Sequence, residues 1–146
     1  MPENKIKPAR ISTTTFRVPY GHTDQMGHVY YGQYLLFFEM ARNDWMRSGG
    51  LTYRDFEKSG YFVPVAEAHV NYKGSVYYDD VIVICCSAHA ESRVKMKFTY
   101  EIYRAEDNTL KNNEKRRILA SGWSMHVVTT KEGRPVRIPK SIMELL

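Results

Sequence analysis

The spacing of apolar positions along this chain changes twice. From residue 32 to 47, in GQYLLFFEMARNDWMR, Tyr34, Phe37, Phe38, Ala41 and Trp45 recur at helical spacing, and Leu35, Leu36 and Met40 widen the stripe. Only Glu39, Arg42, Asn43, Asp44 and Arg47 give this helix a polar side, so it is expected to be buried over most of its surface. Glu39, Arg42 and Asn43 stand at the spacing of a local i,i+3 and i,i+4 network. Gly49 and Gly50 end the helix, and LTYRDFEKSG, residues 51–60, reads as a second, short one stopped by Gly60.

The period then falls to two. In YFVPVAEAHVNYK, residues 61–73, Phe62, Ala66, Ala68, Val70 and Tyr72 alternate with Glu67, His69 and Asn71. DDVIVICCSAHAE, residues 79–91, is apolar on both parities in its middle, as a central strand would be. In VKMKFTYEIYR, residues 94–104, Val94, Met96, Phe98, Tyr100 and Ile102 oppose Lys95, Lys97, Thr99 and Glu101, the pattern of a half-exposed strand. EDNTLKNNEKRR is a polar hairpin connection, after which RILASGWSMHVVTT, residues 117–130, returns as another strand. Before all of these, ISTTTFRVP, residues 11–19, is β-branched and ends at a proline, which makes it the first strand. KEGRP is a turn, and IPKSIMELL a short final helix opened by Pro139.

Strands grouped after helices, rather than alternating with them, predict an α+β fold with an antiparallel sheet. A sheet of about five strands curved around the long apolar helix would satisfy both periods. Residues 1–10, polar with two prolines, read as a flexible tail, and residues 11–146 as one domain.

Composition narrows the partners. The formal charge of +5 favours an anionic one. Nucleic acid is disfavoured, because Phe98 and Tyr100 lie on the inward parity and no RNA-recognition signature is present. Cys85 and Cys86 are adjacent and poorly disposed to bridge, so reduced core thiols and a cytoplasmic setting are expected. No apolar run approaches the length of a membrane helix. Aromatic residues around positions 30–62 exceed what a small core should absorb, which predicts a homodimer or homotetramer.

The chemistry concentrates in YGHTDQMGHVYYGQY, residues 20–34, where one acid, Asp24, stands among His22, His28, three glycines and four tyrosines, just ahead of the long helix. Asp24 suits a turn or a helix flank. It would equally serve as a general base or nucleophile, with unpaired N–H groups at the helix start to polarise a carbonyl. His22, Asp24 and His28 do not make a firm ligand set at a recognisable metal spacing, so no metal is expected. His69, His89 and His126 read as strand residues with ordinary hydrogen bonds.

VPYGHTDQMGHVYYGQYLLFFEMAR, residues 18–42, resembles the signature of the hotdog-fold thioesterases related to 4-hydroxybenzoyl-CoA thioesterase. The likeness extends through the YDD before the third strand, LASG in the last strand and the RPVRIPKSI tail. The resemblance implies a hotdog fold, dimers or dimers of dimers with sites formed between subunits, and hydrolysis of an acyl-CoA to free acid and CoA without a cofactor. It assigns Asp24 as base or nucleophile, the backbone N–H near Tyr31 as carbonyl donor, and His28 as a neighbouring candidate. Gly27, Gly32 and Tyr34 would contact substrate. Among the basic residues, Arg93 and Lys95 on one side and Arg134, Arg137 and Lys140 on the other would meet the phosphates of CoA. The sequence departs from many relatives in having Tyr31 where they have His, and His28 where they have a small aliphatic residue. Two alternatives stay open: a hydratase or dehydratase of acyl thioesters, although TDQMGH lacks the Asn and Pro of its D-x-N-P-x-H pattern, and a catalytically silent acyl-CoA binder.

Overall fold

The computed structural model describes residues 9–109 and 116–146, so most of the expected N-terminal tail and part of the EDNTLKNNEKRR connection lie outside the described residues. In chain order the elements are β1 (Ile11–Arg17), a 3-10 turn at Tyr20–His22, α1 (Gln33–Ser48), α2 (Tyr53–Lys58), β2 (Tyr61–Phe62), β3 (Val65–Tyr72), β4 (Val81–Ala90), β5 (Lys95–Arg104), a 3-10 turn at Ala105–Thr109, β6 (Ala120–Val127), β7 (Thr129–Thr130) and α3 (Lys140–Met143). Five strands form one antiparallel sheet in the order β1-β4-β5-β6-β3, and β2 pairs separately with β7.

The sheet wraps α1 through the parities that the sequence assigned to its core. Phe37, Phe38, Ala41 and Trp45 on the helix, and Met96, Phe98, Tyr100 and Ile102 on β5, are all buried. Phe38 lies flat on Tyr100, with ring centroids 4.1 Å apart and planes 4° from parallel, while Trp45 meets Phe98 edge-on at 5.3 Å. Each such side chain contributes roughly 1.5–3 kcal/mol by leaving water. The helix ends in two glycines, and Gly50 takes a φ of +89° that disfavours any side chain. Thr52 then caps α2 by accepting a bond from the Asp55 N–H at 3.1 Å.

Three local expectations need correction. The expected strand of residues 61–73 is broken at Val63–Pro64 into β2 and β3, and β3 carries a further register shift between Val65 and Glu67. The even positions of β3 do face the helix side, since Ala68, Val70 and Tyr72 pair with Ser124, Gly122 and Ala120, yet seven of its eight residues are exposed. β3 is an edge strand that α1 covers only partly. Arg10 is no loose residue: its guanidinium donates to the Trp45 carbonyl at 2.8 Å and the Leu145 carbonyl at 3.2 Å, and lies 4.1 Å from the Trp45 ring centre. Finally, Glu39 and Arg42 make no ion pair within 4.0 Å, and Arg42 donates instead to the Tyr100 hydroxyl at 3.2 Å.

Candidate active site

Asp24 sits in a short loop that β-bridges back on itself from Thr23 to Val29. Its Oδ1 accepts from the Met26 N–H at 2.9 Å and the His28 N–H at 3.2 Å, so the acid does form its own turn. Oδ2 takes no hydrogen bond from any described residue. The carboxylate is thus held by one oxygen and open at the other. Gly27 is required by geometry, with a φ of +80° and open space where a Cβ would point. Its N–H returns to the Asp24 carbonyl at 3.0 Å and tightens the turn.

The start of α1 follows directly. Gly32 stands at its N-cap, and no side chain caps the helix. The N–H groups of Tyr31 and Gly32 make no hydrogen bond among the described residues, which leaves two donors beside the positive end of the helix dipole. A Cβ at Gly32 would come 3.0 Å from the Tyr30 ring, so glycine keeps this approach narrow. From across the fold, the Tyr72 hydroxyl on β3 donates to the Tyr31 carbonyl at 2.8 Å and fixes the turn that presents these donors. Tyr72 was not singled out by sequence, because nothing local ties residue 72 to residue 31.

Other candidates take different places. The Tyr31 ring is exposed and leans on Tyr30. The His28 ring lies edge-on to Tyr77 at 4.9 Å, and its Nδ1 stands 3.5 Å from the Ser75 hydroxyl. Tyr34 is buried against Tyr72 and Phe37, and burial pushes its hydroxyl pKa up to about 12. It supports the loop from beneath. His22 packs between the rings of Phe16 and Phe37, and its Nδ1 is buried without a partner among the described residues.

The basic candidates lie elsewhere. Arg93 and Arg137 line one recess together with Ala90, Glu91, Ile138 and Met143, drawn close by the Ile138 N–H donating to the Arg93 carbonyl at 2.8 Å. Lys95 opens β5 beside this recess, with its N–H on the Ser92 hydroxyl at 3.1 Å. Arg134 belongs to the turn after β7, and Lys140 faces Glu144 at 3.9 Å on α3. The Asp24 loop adjoins Val76 and Tyr77, just before β4, whereas Arg93 follows its far end. Ten strand residues separate these ends by roughly 30 Å.

A buried polar chain crosses the inner face. His126 Nδ1 lies 3.0 Å from the Val63 carbonyl, His126 Nε2 lies 2.7 Å from the Ser124 hydroxyl, and that hydroxyl lies 2.6 Å from the Tyr100 hydroxyl. The Val63 carbonyl can only accept, so Nδ1 carries the proton and Nε2 accepts from Ser124. Tyr100 therefore donates to Ser124 and accepts from Arg42. Burial holds the His126 pKa down at about 4, so the ring is neutral. The signal available in sequence was two polar residues, Ser124 and His126, on the core parity of a strand. Burial also lifts Cys86 to about 12, as suits a thiol of the core. Among the described residues, no cluster of three His, Cys, Asp or Glu side chains could hold a metal ion, and no helix is long and apolar enough to cross a membrane.

Comparison with known proteins finds thioesterases similar over most of the chain. The acyl-CoA thioester hydrolase YbgC of Escherichia coli O6:H1 is 28% identical over 137 residues, covering 91% of this chain and 96% of that protein. A DHNA-CoA thioesterase from Staphylococcus aureus superposes with a TM-score of 0.76 at 30% identity, covering 87% of this chain and 80% of that one. A 1,4-dihydroxy-2-naphthoyl-CoA thioesterase from Synechocystis gives 0.81 at 20% identity over 93% and 95% of the two chains, a likeness of fold that identifies the curved sheet and its helix as a hotdog. Residues 18–146, from the end of β1 to the C-terminus, match the Thioesterase-like superfamily, and the chain belongs to that family.

Proposed function

We propose that this protein hydrolyses an acyl-CoA thioester to the free acid and CoA, with Asp24 as base or nucleophile and the N–H groups of Tyr31 and Gly32 polarising the carbonyl. The observation that carries this reading is the pairing of a carboxylate with one oxygen tethered and one open, on the loop that leads into an uncapped helix start. A thioester expels a thiolate whose conjugate acid has a pKa near about 8.5, so little help with leaving-group protonation is needed. What the reaction does need is an oxygen base or nucleophile and a place for negative charge on the carbonyl oxygen. His28, turned toward Tyr77 and Ser75, is dispensable for the chemical step in this account.

The same reading makes the protein a homodimer through β3. That strand is an unpaired edge, and beside it Leu35, Leu36, Val65 and Tyr72 expose 40–51% of their surface. The Tyr72 end of β3 adjoins the Tyr31 turn, and its Val65 end lies by His126, on the side where β5 begins. Antiparallel pairing with a second copy would carry the Asp24 loop of one protomer toward the Arg93–Arg137 recess of its partner, where the phosphates of CoA would be met.

Asp24→Asn tests the assignment. Removing a general base typically costs about 10²- to 10⁴-fold in rate. Release of CoA from a panel of short, long and aromatic acyl-CoAs should fall by that factor at unchanged thermal stability. Near wild-type turnover in the variant would refute the role of Asp24.

A further inference from the structure

Arg42 is the charged member of the buried polar chain, and it reaches a cavity wall. It lines two adjoining cavities, of about 380 Å³ and 230 Å³, on the β3 side of α1. The larger is walled by the apolar Leu35, Leu36, Phe38, Val65 and Ala68, with Glu39, Arg42 and Ser124 as its polar groups. Tyr31 and Gly32, then Leu35 and Leu36, then Glu39 and Arg42 follow one another along a single stripe of the helix. Leu35 and Leu36, one turn past Gly32, stand at one end of this cavity and Arg42 at the other, roughly 15 Å along the axis from Gly32.

What Arg42 lacks is a counter-charge. No carboxylate of the described residues lies within 4.0 Å of its guanidinium, Glu39 included, and its side-chain hydrogen bond among those residues goes to the Tyr100 hydroxyl. The charge is felt inside the fold: it lowers the pKa of Tyr100, Cys86 and His126 against the effect of burial on the first two and with it on the third. The chain behind it is saturated, since Tyr100 gives its proton to Ser124 and Ser124 gives its own to His126. Four N–H donors of the guanidinium remain for something in the groove.

We infer that this groove takes the acyl chain of the substrate and that Arg42 binds a carboxylate at its far end, so that the preferred substrates are acyl-CoAs with an ω-carboxyl group. The inference rests on the thioesterase reading above. A fork of guanidinium donors suits a carboxylate through paired hydrogen bonds, and apolar walls weaken the competition from water. The methylene chain lies over Leu35, Leu36, Val65 and Ala68. Glu39 opposes the bound anion, but it is exposed and its charge is screened.

The comparison that tests this is suberyl-CoA against octanoyl-CoA, equal in carbon count and different in the terminal carboxylate. Wild-type kcat/KM is expected to favour suberyl-CoA by tenfold or more. Arg42→Gln should bring that ratio to about one or below, and Glu39→Gln, a change at an exposed position, should raise it. Titrating suberyl-CoA and octanoyl-CoA into the Asp24→Asn protein by calorimetry reads the same preference without turnover. Equal treatment of the two thioesters by wild-type protein, with CoA release intact, overturns the carboxylate site and leaves the thioesterase reading standing. Absence of CoA release from both overturns the thioesterase reading, while the calorimetric preference still decides for or against Arg42. If Arg42→Gln dissociates a dimer without changing the substrate ratio, Arg42 is answering an acid of the partner protomer and the inference is wrong.

Discussion

Gly122 is where the sheet admits the helix, and replacing it by Ala measures how closely they meet. A Cβ at this position of β6 would overlap the His69 carbonyl oxygen of β3 and come 2.6 Å and 2.8 Å from Cε2 and Cζ of Phe38. Carbon contacts are comfortable from about 3.5 Å, so the Phe38 ring would have to retreat by about 1 Å. Tyr100, stacked 4.1 Å from the buried ring, opposes that retreat. The carbonyl belongs to a paired strand and is stiffer still. Alanine gains about 0.5–1 kcal/mol over glycine in a strand through reduced unfolded-state freedom, while overpacking of this kind costs about 1–3 kcal/mol or more. The clash wins, by about 2 kcal/mol. For a chain of this size that corresponds to a loss in Tm of roughly 4–8 °C. Calorimetry or urea titration gives the value, and Gly21→Ala serves as reference, because a Cβ there meets nothing within 4 Å. Equal stability of Gly122→Ala and Gly21→Ala would show that Phe38 and the β3 backbone are not held as described.

Two further expectations follow from burial. His126 is neutral in the fold with a pKa near 4, while the unfolded chain takes up its proton near about 6.5, so stability from this residue is full above pH 6.5 and is lost as pH falls toward 4, by up to about 3 kcal/mol. Urea midpoints measured at pH 7 and pH 4.5 should differ less in His126→Asn than in wild type, and an identical pH slope in both would exclude the residue. Cys86 should resist alkylation by iodoacetamide at pH 8 in the native protein and react once the chain is unfolded, because burial holds its thiol near 12; peptide mapping that finds native Cys86 labelled as fast as Cys85 would contradict its place in the core.

Much of the architecture was written in local pattern. The helical stripe Tyr34–Phe37–Phe38–Ala41–Trp45 and the even parity of residues 96–102 specified which faces meet, since a period of 3.6 or 2 commits each side chain before any tertiary contact exists. The turn at Asp24 and the start of α1 were legible for the same reason: a turn and a helix boundary are properties of a few consecutive residues. Period cannot say which strand lies at an edge. The alternation in residues 61–73 set the inward face of β3, yet whether α1 covers that face depends on strand order, and β3 came out as the exposed edge. Nor can spacing along one helix decide between partners near and far. Glu39 stands three residues from Arg42, but Tyr100, 58 positions away on β5, holds the guanidinium instead. Arg10 anchored by Trp45 and Leu145, Tyr72 holding the Tyr31 turn, and Ser124 linked to His126 and Tyr100 belong to the same class. In each, a buried or half-buried polar group must find a partner, and only the folded chain determines which donors and acceptors come within about 3 Å of one another.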